Sequence, residues 1–485
     1  MALSLIITRI LLIELGVIDY GIFNLIMGVI GLLAFLNSAM AVSTQRFLSF
    51  FIGANQQSKL RSVFYSSICL HLGLALIVFL GLEIAGLYLF DGFLSIPPDR
   101  VSAAKFTFQC LVGTSFVTII FVPFDASIIS NEKLLFESVI STFEVILKLG
   151  SAIWISTGVE NKLEMYSLSI LFITLTVRLI KGLYCFKKFD ECRSFSIKLF
   201  DFGLFKEMSS FAGWNSFGAL CGVAKNQGLS VIMNLFFGTI VNAAFGIAAQ
   251  VGSQIFSFSS NMLKAVNPQI MKNEGQGERK SMINLSLRAT KFSFFLLSFL
   301  LIPFALNVVF IFRVWLKEIP ENTIIFSLLY LAGTLVNQLT IGLQTAIQSG
   351  GNIKLYQSIV GSILLFNLPI AYFIYHLGYP AYYGLISFIF IELLACVFRV
   401  IISRKILGMS IKLYFQNVIF KIIPPFAITL SICLIPAYFL PDNVVRLLVV
   451  GFLSVTVYTI TFYHFGMDMF EREQARKIKK KLSIF

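Results

Sequence analysis

Long apolar runs separated by short polar breaks follow one another along the whole chain. Fourteen can be drawn, at 2–15, 22–45, 63–90, 106–130, 137–157, 165–185, 211–236, 239–263, 290–312, 324–348, 355–377, 381–402, 417–440 and 443–465. Most reach the roughly 20 residues that an α-helix needs to cross about 30 Å of hydrocarbon. The pattern predicts an all-α polytopic membrane protein with about 14 transmembrane helices and no soluble domain among them. Gly238 and the Gly378-Tyr379-Pro380 sequence divide two closely spaced pairs of runs into separate helices. The first run is short: about 15 residues at 1.5 Å each give roughly 22 Å. It reads as an incomplete span.

Composition agrees with lipid as the solvent, since 57% of the 485 residues are hydrophobic and only 13% charged. The net charge of +14 would suit nucleic acid only if it were gathered into one patch. Instead it is spread over short loops. Assigning alternate loops to the cytoplasm puts sixteen lysines and arginines on that side, from Lys59 and Arg61 to Arg404, Lys405 and Lys412, with a basic tail from Arg472 to Lys481. The other side holds Arg100, Lys162, Lys317 and Arg446, beside Asp91, Asp99, Glu160, Glu318, Glu321 and Asp442. The positive-inside rule then predicts both termini in the cytoplasm and the longest interhelical stretches, 186–210 and 264–289, on the same side.

A faint repeat links Leu12-Ile13-Glu14-Leu15-Gly16 to Asn234-Leu235-Phe236-Phe237-Gly238, an offset of 222 residues. It implies two pseudo-symmetric six-helix bundles, a common transporter plan with a site where the halves meet. The expected organisation is an N-terminal bundle over 1–186, a cytoplasmic linker over 187–210, a C-terminal bundle over 211–402, two added helices over 403–465 and a basic tail over 466–485.

Charges inside spans are costly, roughly 2.5–3.5 kcal/mol at a helix centre, unless they face a partner or a cavity. Lys148 in the fifth span follows Glu144 at i,i+4 spacing, so the two can pair on one face. That pair either lines a polar cavity or is purely structural. Lys225 lies in the polar cluster Ala224-Lys225-Asn226-Gln227-Gly228 and should face the protein interior. Arg46 is either a cavity cation or an interfacial anchor, and Asp125 after Pro123 marks either a cation site or a kink. Arg178, Lys181, Arg313, Arg399 and Lys421, near span ends, read as interfacial anchors. Amides gather in spans two, seven, eight and ten: Asn37, Asn242 and Gln250 among them. A cavity of lysines and amides would suit an anionic, hydrogen-bonding ligand such as a phosphate-linked sugar.

No nucleophile elbow, P-loop or kinase set is present, and the three histidines and seven cysteines form no metal-ligand spacing. Neither an enzyme nor a cofactor is expected. Six of the cysteines read as small core residues.

The stretches Leu15-Gly16-Val17-Ile18-Asp19-Tyr20-Gly21, Phe35-Leu36-Asn37-Ser38 and Ser43-Thr44-Gln45-Arg46-Phe47 resemble the second-helix region of bacterial polysaccharide flippases. These are the O-antigen and capsule repeat-unit translocases of the multidrug/oligosaccharidyl-lipid/polysaccharide exporter superfamily. Asn234 to Val251, followed by Asn267-Pro268-Gln269-Ile270, carries the more specific resemblance, and Trp315-Leu316 with Pro320 adds to it. In that family a basic segment and a full first helix precede the turn found here at Leu15-Gly16. The resemblance implies two bundles in a V around a central cavity, and alternating access that flips an undecaprenyl-diphosphate-linked oligosaccharide across the cytoplasmic (inner) membrane. On that reading Lys148, Lys225 and Arg46 neutralise the diphosphate, while Asn37, Asn242 and Gln250 bond sugar hydroxyls or shape the gate. Glu144 and Asp125 would be ion-coupling or structural partners. The implied protein is a monomer working with the bilayer and with polysaccharide polymerase machinery. An ion-coupled multidrug exporter of the same fold, or a transport-inactive homologue, are the alternatives.

Overall fold

The computed structural model describes residues 2–31, 34–90, 96–158, 160–193, 196–316 and 318–482. Asp91 and Lys317, counted above among exterior charges, lie outside them. The described residues are helical nearly throughout and divide into two compact units, Met1–Ser216 and Phe217–Phe485.

The first unit comprises α1 (Ala2–Gly31), α2 (Ala34–Gly53), α3 (Gln57–Tyr88), α4 (Val101–Ile120), α5 (Val122–Ser130), α6 (Leu134–Ile155) and α7 (Lys162–Lys188), then the opening of α8 (Phe202–Gly275). Helix α4 packs against α1, α3 and α7, and α6 against α1 and α7. Their shared core includes Ile22, Ile26, Phe108, Leu111, Ile155 and Tyr166. A break at Phe121, with Pro123 in the first turn beyond it, separates α4 from α5 and points Asp125 toward α7.

The second unit takes the rest of α8 and then α9 (Arg279–Leu306), α10 (Val308–Trp315), α11 (Thr323–Gln338), α12 (Ile341–Ser349), α13 (Lys354–Leu365), α14 (Asn367–His376) and α15 (Tyr383–Leu407). A single turn α16 (Ile411–Tyr414) leads through a π-turn at Phe415–Ile419 into α17 (Phe420–Phe439). Helix α18 (Val444–Thr461) ends in a second π-turn at Phe462–Gly466, before α19 (Met469–Leu482). Helix α15 packs against α11, α12, α13 and α14, whereas α9 holds α12, α17 and α18.

Among the described residues, ten helices are long and apolar enough to cross a membrane, or up to 12 if each of two bent pairs counts as one span. The expected fourteen is recovered only by dividing α8 at Gly238 and counting the short arm of α1 before Gly16. Both glycines adopt a backbone open to glycine alone, φ 73°, ψ 172° at Gly16 and φ 78°, ψ −171° at Gly238. The two positions related by the sequence repeat thus share one local conformation. The 264–289 stretch, expected as a long polar connection, is instead helix on both sides of a turn at 276–278. Polarity there reports water around the helices, not their end, because Lys, Glu and Arg are good helix formers.

Candidate functional site

Five helices of the first unit, α1, α2, α4, α6 and α7, line a cavity of about 290 Å³. Helix α4 presents Thr114, Ser115 and Thr118; α6 presents Glu144 and Lys148; α7 presents Thr174 and Arg178; α2 presents Asn37. Met27, Ile30, Leu111 and Ile170 form its apolar wall. Glu144 and Lys148 are one turn apart, and Lys148 Nζ donates to Glu144 Oε1 at 2.6 Å. Both remain partly accessible, with 32% of the lysine side chain exposed. The Asn37 side-chain oxygen is buried without a hydrogen-bond partner. Thr114 and Thr118 donate to the carbonyls of Cys110 and Thr114, each at 2.8 Å, which leaves their oxygen lone pairs to accept.

Beyond Lys148 the cavity is bordered by an ion network. Asp125 receives hydrogen bonds from Arg178 and, at 3.0 Å, from Lys181; Lys181 also donates to Glu137 Oε1 at 2.7 Å. Lys181 is buried, so neither it nor Arg178 is the interfacial anchor expected from its place in the sequence. Three cations, Lys148, Arg178 and Lys181, face three carboxylates, Asp125, Glu137 and Glu144. This cluster is charge-balanced rather than cationic.

Lys225 has a different setting. In the second unit its ammonium is buried, hydrogen-bonded to Glu392, and 4.0 Å from the centre of the Phe388 ring. Asn337 donates to the other Glu392 oxygen at 3.0 Å, and Arg399 stands 3.9 Å from it. Arg399 in turn donates to Thr340 at 3.3 Å, at the 41° bend between α11 and α12. Tyr414 donates to the Leu339 carbonyl freed by that bend, at 2.9 Å. Glu392 is therefore a fully enclosed carboxylate, and Arg399 is no interfacial anchor. Lys225 faces the interior as expected, but its charge is already met by a neighbouring helix.

Arg46 is buried too. Its guanidinium lies 4.4 Å from the Phe47 ring centre and 5.0 Å from that of Phe50, with Glu207 at 3.9 Å. Asn242 accepts from Ser230 at 2.6 Å, a hydrogen bond that bridges the Gly238 kink. Gln250 is exposed, and its carbonyl accepts from Ser253 at 2.8 Å. Among the named candidates, the cavity in the first unit therefore gathers Asn37, Glu144 and Lys148, and not Lys225, Asn242, Gln250 or Arg46.

Sequence reasoning missed the hydroxyls and Arg178. A signal existed: Thr174, Arg178 and Lys181 recur at four- and three-residue spacing, which is one helix face. All seven cysteines are free, Cys69 half-buried and the other six buried. No group of His, Cys, Asp and Glu among the described residues could hold a metal.

The fold is that of MATE-family transporters of the MOP superfamily. A MOP-superfamily transporter from Pyrococcus furiosus, described as having a binding pocket of reversed polarity that suggests a different function, superposes with a TM-score of 0.70 at 15% identity. The match covers 84% of this chain and 93% of that one. A multidrug resistance MATE transporter in an outward-facing conformation gives 0.69 at 15% identity, and a MATE point mutant 0.71 at 15%, each over 84% of this chain and 92% of the other. No protein-family model matches the sequence, and no curated protein does.

Proposed function

We propose that this protein exports an anionic, sugar-bearing lipid diphosphate by alternating access, and that the cavity of the first unit receives its head. The observation that carries this reading is the lining of that cavity. Lys148 keeps two ammonium protons, and Arg178 most of its five, beyond their present hydrogen bonds. Those donors suit phosphate oxygens, while Asn37 Oδ1 and the threonine oxygens suit sugar hydroxyls. At about 290 Å³ the cavity is at the small end of ligand pockets, enough for a phosphate and its first sugar but not a whole repeat unit. Because the resting charges balance, the ligand phosphate replaces Glu144 as the partner of Lys148, and the half-exposed Glu144 turns toward water. Undecaprenyl-diphosphate-linked oligosaccharide, at the cytoplasmic membrane, is the substrate class that combines these features with the sequence resemblance.

Export of small organic cations is the second reading. It draws on the carboxylates Asp125, Glu137 and Glu144 around the same cavity and on a structural neighbour described as a multidrug resistance transporter.

The test is deletion of the gene in its host, with complementation by the wild type and by Lys148→Ala at equal expression. The flippase reading expects lipid-linked repeats to accumulate inside and surface polymer to be lost, with rescue by the wild type alone. Normal polymer together with hypersensitivity to cationic drugs would replace it with the second reading.

A further inference from the structure

A second polar cavity, of about 170 Å³, lies in the second unit. It is lined by Asn284, Arg288 and Lys291 of α9, Asn417 of the first π-turn, Lys421 of α17, and Asp468 at the head of α19. These residues are brought together by helix periodicity. Asn284, Arg288 and Lys291 repeat at i, i+4 and i+7 on one face of α9, and the π-turn aligns Asn417 with Lys421. The π-turn is itself a departure from regular helix of the kind that accompanies functional sites. Asn284 and Asn417 are exposed at the mouth, whereas Lys291 is buried at the base.

The charges do not cancel. Arg288 pairs with Asp468 at 3.2 Å and stands 3.7 Å from Glu471, and Lys291 pairs with Glu471 at 2.5 Å. Lys421, half-buried beside them, has no ion pair among the described residues. Three cations therefore share two carboxylates. A half-buried ammonium in a walled cavity is costly unless an anion joins it. The space corresponds to roughly five or six waters, which accommodates a phosphate group with part of its hydration.

The cavity's location narrows the source of that phosphate. It lies where α9 and α17 begin and α18 ends, the end of the bundle that the charge asymmetry assigns to the cytoplasm. Basic pockets between helices at that level hold anionic headgroups.

We propose that this cavity is a binding site for a phosphate group, carried by an anionic phospholipid headgroup or by free phosphate, with Lys421 as its principal ligand and Arg288 and Lys291 behind it. The amides of Asn284 and Asn417 complete the donor set at the mouth. The site is separate from the cavity of the first unit, and its occupancy is read without any transport assay.

The test uses the full-length protein purified in a neutral detergent. Native mass spectrometry after exchange with phosphatidylglycerol, against phosphatidylcholine, counts retained lipid, and a titration with inorganic phosphate examines the free anion. Lys421→Ala removes the ligand, Lys421→Arg preserves its charge, and Lys405→Ala removes a like charge that does not line the cavity. The lipid source predicts one retained phosphatidylglycerol in the wild type, in Lys421→Arg and in Lys405→Ala, and roughly tenfold weaker retention in Lys421→Ala. The free-phosphate source predicts the same ranking in the phosphate titration, without lipid retention. Equal binding of both probes by wild type and by a Lys421→Ala protein with an unchanged melting temperature overturns the proposal. Should Lys421→Ala not fold, Lys421→Gln takes its place with the same criteria.

Discussion

Lys148 and Lys225 are both lysines within apolar helices, both paired with a glutamate, yet their surroundings give them different work. Lys148 shares one turn of α6 with Glu144 and opens into a cavity where 32% of its side chain is accessible. Lys225 is enclosed, and its partner Glu392 is held in turn by Asn337 and Arg399. A charge in a membrane helix is a candidate for ligand binding only when it stays accessible. Lys148 does. The Lys225 side chain is 7% exposed, and its contact with Glu392 ties α8 to α15.

The largest effect expected from this contrast is on stability. Glu392→Ala strips the partner from two buried cations and should cost about 3–5 kcal/mol, read as loss of a monodisperse peak and a strongly lowered melting temperature in detergent. Lys225→Met combined with Glu392→Gln should recover part of that loss, since no ammonium is then stranded. If Glu392→Ala melts like the wild type, the structural assignment of the pair fails.

Gly238→Ala comes next. The added Cβ meets nothing within 4 Å, so its cost is that of the backbone alone, about 1–3 kcal/mol for a residue held in a glycine-only region. Gly16→Ala should cost a similar amount, and a large difference between the two melting temperatures would break the equivalence of the repeated kinks.

Lys148→Ala should change stability by less than about 1 kcal/mol, because a partly exposed pair contributes little. It should nonetheless abolish most substrate movement in the complementation assay. A lowered melting temperature with intact transport would reverse the roles given to Lys148 and Lys225.

The smallest effect is a pH dependence at the C-terminal helix. Burial alone would raise the Asp468 carboxyl, but the Glu471 backbone N–H and then Arg288 outweigh it and hold the group below the ordinary aspartate value. Asp468 and Glu471 also form a reciprocal capping box, each backbone N–H donating at 2.8 Å to the other's carboxylate. A depressed carboxyl contributes stability above its unfolded value that is lost as pH falls through the folded one. Helix α19 should therefore stay docked above about pH 4 and loosen progressively on further acidification. A nitroxide on Glu473→Cys would report the change as increased mobility, and Asp468→Asn should show that mobility already at neutral pH.

Much of this architecture is legible in the amino-acid sequence. Apolar run length located the spans, and the sequence divided two of them at Gly238 and paired that position with Gly16 through the repeat; the structure shows a kink at both. The Glu144–Lys148 contact followed from its i,i+4 spacing. What could not be read were the cross-helix partners. Arg178 and Lys181 stood near the end of an apolar run and looked like anchors, until α5 and α6 brought Asp125 and Glu137 against them. The polar 264–289 stretch looked like a loop because polarity measures contact with water, and a helix that leaves the membrane is as polar as a loop.

The sequence by itself determined that the chain is a bundle of membrane helices, where most of those helices lie, and that Gly16 and Gly238 are equivalent positions in a repeat. Hydropathy, helix periodicity and backbone sterics are local properties, written in neighbouring residues. Only the tertiary structure decided which charges are satisfied and which remain available, because Lys225 meets Glu392 and Lys291 meets Glu471 across long intervals of chain. Periodicity says which residues share a helix face. It does not say which other helix that face will meet, and on that meeting depends whether a buried lysine is a strut or a ligand.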